Sequence, residues 1–73
     1  MKLQFEIDRE EDGRFIVEIP ELPGVMAYGR TQSEAIDAVV ALAFRVLAEK
    51  LENGELRRGG AEDASLELPL IPA

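Results

Sequence analysis

Leu3, Phe5 and Ile7 alternate with Gln4, Glu6 and Asp8, a period-two pattern that predicts a strand over 3–8 with one buried face. Phe15, Val17 and Ile19 repeat it against Arg14, Ile16 and Glu18, which predicts a second strand over 14–19. Between them lies the polar stretch Arg9-Glu10-Glu11-Asp12-Gly13, whose Asp-Gly step suits a hairpin because Gly13 can take a positive φ. Pro20 removes a ladder donor and ends the second strand. Glu21-Leu22-Pro23-Gly24 then reads as a Pro-Gly turn into a short third strand over 25–28. The order is an antiparallel three-stranded meander.

Thr31-Gln32-Ser33-Glu34 has the residues of a capping box, with the Thr31 hydroxyl accepting a backbone N–H and Glu34 reaching back to the cap. A helix is expected over 32–53, with Asn53-Gly54 as a left-handed cap. On a helical wheel its larger apolar side chains run from Leu42 through Val46, Val39, Ala43, Ile36, Leu47 and Val40 to Leu51 and Phe44. They span an arc of about 200°, where a helix on a small sheet needs about 100°. The flanks of that arc, Leu42, Phe44 and Val46, are therefore expected to meet another subunit, which makes a homo-oligomer, most simply a dimer, the expected state. Residues 55–65, with Gly59-Gly60 and mixed charge, read as a flexible connection. Over 66–71, Leu66, Leu68 and Leu70 alternate with Glu67 and Pro69, and Pro69 confines this fourth strand to a sheet edge. The expected class is α+β, in the order β-β-β-α-β, within one domain spanning 1–73.

Charge and composition narrow the chemistry. Eight Lys and Arg stand against fifteen Asp and Glu, a net charge of −7 in 73 residues. A like-sign field repels phosphate backbones, so direct nucleic-acid binding is not expected. The absence of cysteine and histidine removes thiolate nucleophiles, Ser-His-Asp relays and Cys/His zinc sites. No cofactor is implied. The longest apolar run, 38–44, is far short of a membrane span, and the opening residues lack the apolar core of a signal peptide, so a cytoplasmic protein is expected.

Two segments, Asp12-Gly13-Arg14-Phe15-Ile16-Val17-Glu18-Ile19-Pro20-Glu21-Leu22-Pro23-Gly24-Val25 and Gly29-Arg30-Thr31-Gln32-Ser33-Glu34-Ala35, together resemble the HicB-like antitoxin family. The shared pattern is a DG-aromatic strand, then P-x-L-P-G, then G-x-T-x-x-E-A, and it covers residues 3 to about 52. The resemblance implies a truncated RNase H-like domain that neutralises a small basic mRNA-cleaving toxin of the HicA type by masking its RNA-binding surface. Many members of that family also carry a C-terminal DNA-binding domain; residues 55–73 are too few for one, so transcriptional autoregulation is not expected of these residues. Many relatives have cysteine where this chain has Val25, so the position reads as packing.

Candidate contact residues for a basic partner are Glu10, Glu11 and Asp12 at the hairpin tip and Ile16 and Tyr28 on the outer sheet face. Each has a plainer reading, as a solvated tip or as isolated exposed apolar side chains. Gly13, Pro20, Pro23, Gly24, Thr31, Glu34 and Gly54 are expected to act as turn and cap residues. A metal-dependent nuclease would need converging carboxylates, for which Glu6, Asp8, Glu34, Asp37 and Glu67 are of the right type without a diagnostic spacing, so catalysis is not expected. The alternative to the antitoxin is a small-ligand sensor or an oligomerisation module without a toxin.

Overall fold

A computed structural model describes residues 2–56. Three strands, β1 (Glu6–Arg9), β2 (Phe15–Glu18) and β3 (Met26–Gly29), precede one helix, α1 (Gln32–Glu52). The sheet is antiparallel in the order β1-β2-β3, so the expected meander and the α+β class hold. The fourth strand expected over 66–71, and all but the first two residues of the 55–65 connection, lie outside the described residues.

Register fixes which side chains share a face. Ile7 stands opposite Val17 and Val17 opposite Ala27, and these point toward the helix. Glu6, Asp8, Ile16, Glu18, Met26 and Tyr28 occupy the intervening positions and so lie on the outer face. The helix packs chiefly across β3 and β2. Val17, Ile19, Leu22 and Val25 meet Ala35, Val39 and Ala43 in a core with no buried polar side chain. The centre of the helical stripe is thus Ala-Val-Ala, small enough to bring the helix backbone close to the sheet.

That closeness explains Gly29. A Cβ built there would fall onto the Ala35 backbone nitrogen and within 2.9 Å of both Ala35 Cα and Glu34 C, inside the separation real Cβ atoms keep. The spacing between Gly29 and Glu34-Ala35 is therefore a steric fit between the end of β3 and the first turn of α1.

The turns account for the other punctuation. Gly13 N–H donates to Glu10 O at 3.0 Å and Glu10 N–H to Arg14 O at 2.7 Å, closing a three-residue loop with Gly13 at φ +91°. After β2 two turns follow in succession: Leu22 N–H donates to Ile19 O and Val25 N–H to Leu22 O, each at 3.0 Å. Pro20 and Pro23 hold the second position of each turn, and Gly24, at φ +85°, the third position of the latter, where a side chain would be strained. The double turn drives Leu22, 4% exposed, into the core. At the helix start Glu34 N–H donates to Thr31 Oγ1 at 3.1 Å, the expected cap. Glu34 itself reaches one residue further back than expected: its Oε2 accepts from Arg30 N–H at 3.1 Å. At the other end Gly54 (φ +75°) donates to Leu51 O and Glu55 to Lys50 O, a Schellman closure.

The expectation for the first strand fails. The first strand begins at Glu6, not at residue 3, and none of its residues is buried. Phe5 and Ile7 face the helix side yet remain 43% and 38% exposed, because α1 lies over the other two strands. Leu3 alone of that alternating set packs on the core.

Candidate partner-binding surface

On its helix side the fold leaves an apolar groove of about 510 Å³ between α1 and the segment leading into β1. Leu3, Phe5, Ile19, Val40, Phe44 and Leu47 line it, with Lys2 the sole charged lining residue among those described. Of the three expected oligomer contacts, Phe44 stands at this groove and is exposed, whereas Leu42 and Val46 pack half-buried against the core. The wide helical arc is thus only partly free: Phe44 and Leu51 are its exposed members.

The outer face differs in character. Across the three strands it presents two rows, Asp8-Ile16-Tyr28 and Glu6-Glu18-Met26. Each row runs from a carboxylate on β1 to an apolar side chain on β3. Tyr28 and Met26 are 47% and 41% exposed. Glu6 and Glu18 are direct cross-strand partners, a like-charge pair that weakens a sheet. The one ion pair among the described residues does not involve them: it joins Arg14 Nε and Asp12 Oδ2 at 2.7 Å, at the hairpin end of this face.

Asp12 and Tyr28, chosen from the sequence for separate reasons, are linked through Arg14. The Asp12 Oδ1 accepts from the Arg14 backbone N–H at 3.0 Å while Oδ2 holds the guanidinium. The guanidinium in turn lies over the Tyr28 ring, 4.6 Å from its centroid. The Arg14 backbone bond is the largest influence on the Asp12 carboxyl and, together with the Arg14 side-chain bond and charge, holds it below its ordinary value of 3.8 against desolvation, which ranks second and acts the other way. Ile16, the cross-strand neighbour of Tyr28, completes this end of the face. Glu10 and Glu11 remain on the hairpin loop and join neither row.

Sequence reading did not single out Glu6 and Glu18 as neighbours, Met26 as an exposed apolar residue, or Arg14 as a link. The parity of 14, 16 and 18 placed Arg14 and Ile16 on one face. The pairing of Ile16 with Tyr28 and of Glu6 with Glu18 is a matter of register, which strand pattern alone does not specify. Among the described residues no three carboxylates converge as metal ligands would, and no helix is long and apolar enough to cross a membrane.

No family model matches the chain, and no solved structure matches it. Two curated proteins do. UPF0150 protein Ta0767 of Thermoplasma acidophilum is 33% identical over 67 residues, covering 90% of this chain and 97% of that protein. UPF0150 protein ssl0738 of Synechocystis is 35% identical over 66 residues, covering 90% of this chain and 89% of its own. Identity at this level over nearly the whole of each protein places the chain in the UPF0150 family.

Proposed function

We propose that the chain is an antitoxin-like, protein-binding member of its family. It would neutralise a small basic mRNA-cleaving toxin of the HicA type by covering the surface that toxin uses to hold RNA. The observation that carries this reading is the surface itself. A domain this small leaves Phe5, Ile7, Met26, Tyr28, Phe44 and Leu51 exposed on a strongly acidic chain. Apolar side chains in that number suit contact with protein, and the charge selects a cationic partner while opposing RNA. The order of motifs from Asp12 to Ala35, resembling HicB-like antitoxins, supports the same reading.

Co-expression with the neighbouring reading frame tests it. A basic neighbour that arrests growth alone and is silenced by this chain supports the proposal. A neighbour that is harmless alone, or whose toxicity persists beside abundant folded chain, refutes it.

A homo-oligomeric state is the second part of the reading, favoured by the groove at Phe5 and Phe44. Its lining carries no acid among the described residues, so it is where two chains of charge −7 could approach with least repulsion. A light-scattering mass of a monomer at tens of micromolar would remove it.

A further inference from the structure

Among the described residues, the hairpin tip, the groove and the outer sheet face are surfaces that could receive a basic partner, and charge and order separate them. The groove's described lining is apolar apart from one cation, Lys2, so it offers such a partner no electrostatic attraction. The tip has acid but no exposed apolar side chain, and its Asp12 is already engaged by Arg14. The outer face alone combines both properties.

We propose that the outer sheet face is the docking site for the cationic partner, with Tyr28 and Met26 as apolar anchors and Glu6, Glu18 and Asp8 as its acidic side. This rests on the antitoxin reading and names the surface through which it would operate. Three observations carry it. First, the register sorts the face into acid on β1 and apolar on β3, so a partner would present a basic edge beside an apolar centre. Second, Glu6 and Glu18 stand directly opposite each other and no ion pair relieves them among the described residues; a cation from outside would. Third, the Asp12-Arg14-Tyr28 chain holds an exposed aromatic ring in place before binding. An anchor already ordered loses less freedom on association than a free one.

The same charges disfavour a second copy of this chain: except in a pairing centred on β3, its matching face would bring acid against acid or acid against an apolar row. Arg14, the cation over Tyr28, is already paired.

The test is binding of the full chain to the purified basic product of the neighbouring reading frame, measured at low and high salt, with RNA cleavage as a second readout. Tyr28→Ala and Met26→Ser alter exposed side chains, so folding is retained and checked by circular dichroism. Each should weaken binding about tenfold or more through faster dissociation. Glu6→Lys with Glu18→Lys should slow association and flatten its salt dependence. Arg14→Ala should weaken binding through Tyr28 although it removes a positive charge, which simple electrostatics predicts would help. Glu10→Gln with Glu11→Gln trims tip acid without adding cations and should leave the dissociation rate within about twofold. The proposal is overturned if the outer-face variants bind as the wild type does, or if the tip variant speeds dissociation as much as they should. Should the wild type bind without stopping RNA cleavage, the antitoxin reading fails while the docking face stands on its variants. A wild-type chain that binds no basic neighbour overturns both.

Discussion

Gly29→Ala isolates the contact on which the sheet-helix packing depends. Its φ is not in the left-handed region, so alanine meets no backbone penalty there. On unfolded-state entropy alone the substitution would stabilise the protein by about 0.4–1 kcal/mol. The structure predicts the opposite sign. The new methyl would overlap the backbone of Glu34 and Ala35, in the first turn of a helix tied down by Thr31. Relief requires that turn to move off the sheet, which opens the fully buried contact of Ala35 with the core. Overpacking of this kind costs about 1–3 kcal/mol. At roughly 0.05–0.15 kcal/mol per residue the whole fold has about 4–11 kcal/mol, so the loss is a substantial part of it. Urea denaturation followed by far-ultraviolet circular dichroism would read it directly. Because the obstacle is backbone, adding Ala35→Gly should not rescue the variant. A Gly29→Ala protein as stable as the wild type, or more so, would refute the close approach.

Leu22→Ala, which empties the pocket filled by the double turn, should destabilise by about 2–5 kcal/mol in the same assay, with the denaturant slope unchanged. Thr31→Ala removes the hydroxyl that accepts from Glu34 N–H and should cost about 1 kcal/mol, whereas Thr31→Asp should retain most of the stability. The Asp12 carboxyl, titrated by NMR, should show a pKa below 3.8, and Arg14→Ala should return only part of the shift because the backbone N–H remains. A folded-state value below the unfolded one means that Asp12 supports the fold above about pH 4, and that this support is lost as the pH falls through its lowered pKa. Tyr28 fluorescence should respond over that same acid range as Arg14 is released, and an unchanged profile in Asp12→Asn would contradict the coupling.

The local vocabulary of this chain is unusually explicit. Proline at two turn positions, Gly24 after Pro23, Thr31 three residues before Glu34 and Asn53-Gly54 each declare a backbone event within a few residues, and each was legible. Alternation likewise announced the strands, but it cannot say how far the helix extends across them. Phe5 and Ile7 have the pattern of buried residues and are exposed because α1 crosses β2 and β3. The candidate site shows the same division. Tyr28 and Ile16 are recognisable as outer-face residues by parity, while the Glu6-Glu18 pair exists only once register is fixed. Gly29 belonged to a recognisable motif, yet its reason lies in the distance to a helix backbone six residues later.

The groove and the outer sheet face are distinguished by sign, and this bears on how a single small domain could serve two partners. The groove lining carries Phe5 and Phe44 without acid among the described residues, and the outer face carries Tyr28 and Met26 beside three carboxylates. A −7 chain can self-associate only where its own charge is sparse, and it can attract a cationic protein only where that charge is dense. These requirements fall on opposite sides of the same three strands, so neither contact would block the other. High salt should therefore act in opposite directions on them, strengthening contact between like-charged copies while slowing capture of a basic partner. Sedimentation velocity of the chain alone, set beside association rates with the basic neighbour over the same salt series, would separate the two. Salt effects of equal sign on both would mean that one face serves both contacts, and the division by charge would fall.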